Sequence, residues 1–177
     1  MRILYIYNYK IIKIDEIMEK ILKQYKVGEI IGEKYKINRI LGGAGKSGMG
    51  TVYICKELNT KSFVALKTLQ TLFLFSKRGV NSFKREAYIW MQLEAHPYIV
   101  KALAFETIDM LPYIILEYIA PDKNGKNTLA HYLKSPIPLK QAMLWGMQFC
   151  DGMHYALSHD VTPHRDVKPE NIMITDD

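Results

Sequence analysis

The sequence predicts an α+β fold, with a five-stranded antiparallel sheet carrying one helix followed by a helical region. Three observations carry this reading. Between Tyr35 and Ile119, five short runs rich in β-branched and aromatic residues alternate with turn-forming stretches, and one run with helical spacing interrupts them. After Tyr118 comes PDKNGKN, a loop by composition. Beyond it the apolar residues recur at helical spacing, so helices follow a sheet and two lobes are expected.

The elements run in order. Residues 1–34 form an extension, in which Ile14, Ile17, Met18, Ile21 and Leu22 of IDEIMEKILKQY have the spacing of a short helix packed on the adjoining domain. From Tyr35, YKINRIL reads as a strand, a glycine-rich turn comes next, and TVYICKE returns as a second strand. SFVALKTL is the third strand. Phe83, Ala87, Trp90, Met91 and Glu94 then recur helically, which predicts a helix from Ser82 to Glu94 capped by Ser82. IVKALAFE and YIILEYI complete the sheet and end a first lobe of residues 35–119. Residues 120–177 begin a second lobe, with a short helix at LAHYL and a long one over LKQAMLWGMQFCDGMHYALS. Ala142, Trp145, Phe149, Met153 and Ala156 form the stripe of the long helix.

Composition bounds the function classes. The 177 residues are 49% hydrophobic, enough for a sizeable core and too apolar for general disorder. The net charge of +6 comes from scattered lysines, with no dense basic run, and reads as a solvated surface rather than a nucleic-acid face. The apolar N-terminus is broken by Lys10 and Lys13, too short to span a bilayer and without a signal-peptide cleavage pattern, so a cytoplasmic chain is expected. Cys55 and Cys150 form no CxxC pair and read as free, buried thiols. His96, His131, His154 and His159 show no ligand spacing.

LGGAGKSGMGTVYI, Leu41 to Ile54, holds two competing phosphate-binding signatures. Gly45-Lys46-Ser47 ends like a Walker A loop, but Ile40 stands where its first glycine belongs. A Walker A lysine also opens a helix, whereas a β-branched stretch comes next here. Gly45, Ser47, Gly50 and Val52 fit G-x-G-x-x-G-x-V instead, with serine in the middle position and a strand on each side. The extra residues Gly42 to Ala44 leave the register of the first glycine open.

Two further motifs appear in the order this second signature requires. Val64-Ala65-Leu66-Lys67 lies on the third strand and Glu86 on the helix after it, a lysine and a carboxylate suited to pair over phosphates. His164 to Asn171, HRDVKPEN, matches H-R-D-L-x-x-x-N with valine for leucine. From Tyr35 to Asp177 the chain resembles the eukaryotic-type serine/threonine protein kinases, and Lys168, two residues after Asp166, is the form found in that branch. The resemblance implies an enzyme that transfers the ATP γ-phosphoryl group, with Mg2+, to Ser/Thr hydroxyls of a protein substrate. Asp166 would accept or orient the substrate hydroxyl proton. Lys168 would offset charge on the γ-phosphate, Asn171 would bind magnesium, and Lys67 with Glu86 would fix the α- and β-phosphates. Gly45, Ser47 and Gly50 would cover the phosphates. Val52 and Ala65 would lie on one face of the adenine and Met173 on the other. Leu116 would be the gatekeeper, and backbone groups of Glu117 and Ile119 would meet the ring edge. His164 and Arg165 would shape their loop, and His96-Pro97 would be structural.

The 177 residues contain no D-F-G and no A-P-E. The resemblance therefore implies the front part of a kinase, with weakened metal binding, lost or reduced catalysis, and an apolar patch left on the long helix. The alternative function is an inactive, truncated pseudokinase that binds ATP or a partner.

Overall fold

The computed structural model describes residues 23–42, 50–159, 161 and 166–175. Six strands form one antiparallel sheet: β1 (Ile30–Ile31), β2 (Tyr35–Gly42), β3 (Gly50–Glu57), β4 (Phe63–Leu69), β5 (Ala102–Ile108) and β6 (Leu111–Glu117). Their spatial order is β1-β2-β3-β4-β6-β5. The helices are α1 (Thr71–Leu74), α2 (Lys77–Gln92), α3 (Leu129–Tyr132) and α4 (Leu139–Ser158), followed by a 3-10 turn at Pro169–Asn171.

The central strands β3, β4 and β6 are buried at successive positions because both faces of the sheet are covered there. On one face, Tyr35, Ile37, Tyr53, Cys55, Val64, Leu66, Tyr113 and Ile115 form a buried layer with Tyr25 and Ile31. On the other, Ile54, Ala65, Leu69, Ile114 and Leu116 pack against Phe83 and Ala87 of α2. Two register shifts keep these layers filled. One lies between Ile37 and Arg39 and the other between Ala102 and Ala104. An extra residue reverses the parity of the strand beyond it, so Ile40 stays with Ile37 and Phe105 stays with Ala102.

Four expectations are corrected. A sixth strand, β1, exists because Ile30 and Ile31 pair with Lys36 and Tyr35. Tyr25 and Ile31, assigned by sequence to the extension, lie in the core of the sheet. Helix α2 begins at Lys77 and not Ser82; Ser76 is its cap, with Oγ accepting from the Gly79 N–H at 3.2 Å. Gly79 and Asn81 are poor helix formers and hide this first turn, while Val80 and Phe83 hold it on the sheet. Strand β5 starts at Ala102 and not Ile99, because Lys101 is drawn to the end of β6: its N–H donates to the Glu117 carboxylate at 2.6 Å.

Helix α4 spans Leu139–Ser158, as its spacing predicts. Trp145, Phe149, Met153 and Ala156 lie on its packed side, whereas Ala142 is exposed. Leu139, Met143 and Met147 are 76%, 60% and 68% exposed, so an apolar ridge runs along the outer side. Cys150 shares that exposure, correcting the expectation of two buried thiols, and both thiols are free. Cys55 is buried, which pushes its thiol up to about 12. The loop at His96–Tyr98 joins sheet and helix. A Cβ at Gly152 would come within 2.8 Å of the Tyr98 carbonyl, and only glycine permits that approach. The His96 ring stacks on Tyr155 at 4.5 Å, in keeping with a structural His96-Pro97. Among the described residues no helix is long and apolar enough to cross a membrane.

Thr68 is the buried polar residue of β4, and its hydroxyl donates to the Pro112 carbonyl at 2.7 Å. Thr68→Val keeps the shape but strands that carbonyl, and should lower unfolding stability by about 1–3 kcal/mol in urea denaturation.

Candidate functional site

Strand register gathers the first half of the site. Val52 stands opposite Lys67 on β3 and β4. Ala65 stands opposite Leu116 on β4 and β6. Directly opposed residues of an antiparallel pair share a face, so Val52, Ala65, Lys67 and Leu116 line the face covered by α2. Gly50 opens β3 where a Cβ would meet the Thr68 carbonyl at 2.9 Å. Gly45, Ser47, His164 and Arg165 lie outside the described residues, as does the helix expected near Ile14–Leu22.

Lys67 projects from β4 toward α2, where its Nζ donates to Glu86 Oε1 at 2.5 Å. The two side chains are 31% and 47% exposed, so this is a half-open ion pair rather than a sealed one. One turn further along α2, Trp90 faces the same way. Lys67 Nζ lies 5.6 Å from its ring centroid, near the outer limit of a cation–π contact. The indole N–H donates to the Val100 carbonyl at 2.7 Å, tying α2 to the segment that enters β5. Sequence reasoning counted Trp90 only as part of an apolar stripe; its position four residues after Glu86 was the available signal.

The second half is built around Asp166. Lys168 Nζ donates to Asp166 Oδ2 at 2.9 Å. Asn171 Nδ2 donates to the same oxygen at 2.9 Å and to the Asp166 carbonyl at 2.8 Å. The 3-10 turn at Pro169–Asn171 brings Asn171 back to Asp166, and Pro at its start suits that turn. The carboxylate stays exposed, open to a reactant.

Asn127 joins the halves, and sequence reasoning left it in a loop. Its Nδ2 donates to the Ile119 carbonyl at 3.0 Å, and its carbonyl accepts from the Ile174 N–H at 3.1 Å. Thr128 bridges Met173 alongside. Glu117 is engaged with Lys101 through both its N–H and its carboxylate, so its side chain is committed away from the site. Asp122 closes the loop before Asn127 by accepting the N–H groups of Lys126 and Asn124, each at 2.8 Å, and the Tyr132 hydroxyl at 3.1 Å. The Lys126 N–H foremost holds its carboxyl below the ordinary value. Among the described residues no three His, Cys, Asp or Glu side chains cluster as a metal site.

Comparison with known proteins shows the family and the fold. Residues 35–177 match the family described as "Protein kinase domain". The chain is 33% identical over 135 residues to a probable serine/threonine-protein kinase, CPE1738, of Clostridium perfringens, covering 75% of this chain and 19% of that protein. It is 31% identical over 132 residues to the serine/threonine-protein kinase PrkC of Bacillus subtilis, covering 73% and 19%. The chain thus spans about a fifth of the length of these relatives. The crystal structure of the Mycobacterium tuberculosis PknI kinase domain superposes with a TM-score of 0.66 at 23% identity, over 87% of this chain and 59% of that one, which shows a shared fold.

Two outcomes test the site's framework. Trp90→Phe keeps an aromatic side chain but loses the N–H donor and part of the ring's volume; it should cost at least about 1 kcal/mol of stability and speed amide exchange at the start of β5. The Asp122 contribution to stability is complete above its unfolded value near 3.9 and is lost as pH falls through its lower folded value. Asp122→Asn should therefore flatten the acid limb of a pH–stability curve followed by thermal melting.

Proposed function

The chain belongs to the protein kinase domain family, and from that premise we propose that it binds ATP and directs the γ-phosphoryl group to Ser/Thr hydroxyls of a protein. The observation that carries the reading is the cluster of Asp166, Lys168 and Asn171, bonded at 2.9 Å around an exposed carboxylate. In the proposed division, residues 35–119 are the nucleotide lobe, residues 120–177 are part of the catalytic lobe and residues 1–34 are an extension.

The residues fit the nucleotide. Val52 and Ala65 would supply an apolar surface for the adenine on one side and Met173 on the other, with Leu116 as the gatekeeper. Backbone groups at Glu117 and Ile119 would meet the ring edge. Lys67, held by Glu86, would bind the α- and β-phosphates, with Gly45, Ser47 and Gly50 above them. The residues also fit a magnesium ion: with its Nδ2 committed to Asp166, Asn171 keeps its amide oxygen, a hard neutral ligand suited to magnesium with phosphates and water completing the shell. When bound, magnesium offsets the phosphate charge. Asp166 would orient the attacking hydroxyl and accept its proton, and Lys168 would stabilise the equatorial oxygens as charge spreads over them.

A second reading is nucleotide binding without transfer, because the Lys67–Glu86 pair that would hold the phosphates is built separately from the Asp166 cluster that would carry out the transfer. One set of assays separates these readings. Lys67→Ala should weaken binding of a fluorescent ATP analogue about tenfold to a hundredfold, whereas Lys46→Ala should leave it near wild type. Asp166→Ala should retain nucleotide and abolish transfer of radiolabelled phosphate to a Ser/Thr protein substrate or to the chain itself. Binding without any wild-type transfer would establish the second reading. Loss of binding in Lys46→Ala alone would overturn both.

A further inference from the structure

Strand register also builds a row of side chains that the proposed nucleotide site leaves unused. Ile30 on β1 stands opposite Lys36 on β2, Lys36 opposite Lys56 on β3, and Lys56 opposite Phe63 on β4. Directly opposed residues share a face, so these four form one line across four strands. The Phe63 ring continues the line to Tyr118, just past β6, with ring centroids 5.7 Å apart. Arg39 joins from the next step of the same face, because the register shift in β2 sets it opposite Ile54. The layer under α2 takes in Ile54 and Ala65, and the row lies past that cover. Lys36, Arg39 and Lys56 are exposed, and Ile30 and Phe63 are 44% and 43% exposed.

The charge of this row is not answered within the described residues. Like charges directly opposite each other destabilise a strand pair, yet Lys36, Arg39 and Lys56 form no ion pair among the described residues. Glu57, next to Lys56 in sequence, stands opposite the buried Tyr35 and so points to the other face. There Lys34 and Thr60 hold its carboxylate. The three cations come from separate stretches of chain, so the sequence shows them only as scattered charges.

The length of the row selects the ligand. A small free anion would meet the lysine pair and leave both apolar ends in water. Those ends, Ile30 and Phe63, are three strand spacings apart, about 14 Å. In an extended peptide, side chains one, three and five point the same way and also span about 14 Å. Such a peptide sets one apolar side chain on Ile30 and another on Phe63 and Tyr118. Its middle carboxylate falls between Lys36 and Lys56, diagonal to Arg39. A bilayer fits less well, because interfacial apolar groups sink about 5–10 Å into the lipid, whereas Ile30 and Phe63 are more than half covered.

We propose that this row binds an extended acidic segment of a partner protein, with the pattern apolar-x-acidic-x-apolar. The site is separate from the proposed nucleotide site and does not depend on that reading.

The test titrates the full 177-residue chain into the fluorescein-labelled peptide GSLEEEFSG and follows anisotropy. Binding is expected, and it should weaken at least about tenfold for GSLQQQFSG, which lacks the charge, and for GSSEEESSG, which lacks the apolar ends. Lys36→Gln with Lys56→Gln should weaken GSLEEEFSG about tenfold, whereas Lys134→Gln with Lys140→Gln, an equal loss of charge elsewhere on the surface, should leave it nearly unchanged. Lys67→Ala should also leave it nearly unchanged, which separates this site from the nucleotide site. Equal binding of the three peptides, or equal effects of the two double substitutions, would overturn the proposal. The peptide comparison needs no substitution and decides the matter even if a variant misfolds. Binding to phosphatidylserine vesicles or to oligothymidylate, with none to GSLEEEFSG, would overturn it in favour of a lipid surface or a nucleic acid.

Discussion

Strand β4 is apolar against both faces of the sheet, yet it carries Lys67 in its middle, and the arrangement around it depends on how that charge is accommodated. Val64 and Leu66 belong to one buried layer, Ala65 and Leu69 to the other. By parity Lys67 lies with the second set. A half-buried ammonium there needs a counter-charge, and Glu86 provides it from α2. The helix must therefore lie over this face, at this height, for the sheet to be stable as well as for the site to exist. A register slip of one residue would exchange Lys67 with Leu66 and bury the cation under the tyrosine-rich layer. The same alignment that fills the core thus fixes Val52 opposite Lys67 and Ala65 opposite Leu116.

The sheet is attached to the helical region by polar groups at a few points. Trp90 fastens α2 to Val100, and Asn127 fastens the segment after β6 to the segment after Asp166. Between these, Gly152 admits the Tyr98 backbone and Tyr155 receives His96. None of these contacts is large. Their direction is what ties the segment after the Asp166 cluster to the segment that follows β6.

Much of this was legible in the sequence, for reasons that differ by element. Strands β3, β4 and β6 show because two covered faces demand apolar runs, β2 and β5 show by their β-branched and aromatic residues between turn-forming stretches, and α4 shows because a single packed side leaves a clear period. The start of α2 does not show, since Gly79 and Asn81 disguise a turn that Val80 and Phe83 hold by tertiary packing. β1 is too short to carry a pattern. Trp90 and Asn127 escape for a common reason: each acts on a backbone carbonyl distant in sequence, and a carbonyl leaves no residue-type signature. Asp166, Lys168 and Asn171 were singled out because HRDVKPEN matches the motif of the resembled family; their mutual hydrogen bonds, all within five residues, became visible only in the structure.

The layer that holds Tyr25, Tyr35, Tyr53 and Tyr113 has an optical consequence. Burial foremost raises all four phenols above their ordinary value, with Tyr25 pushed up to about 12. In the folded molecule these rings stay neutral past pH 10, where an unfolded chain would ionise them. Each therefore withdraws stability as the solution turns alkaline. Their tyrosinate absorbance should therefore appear at higher pH in the folded lobe than in the unfolded chain, so this layer gives an ultraviolet signal that differs between the two states.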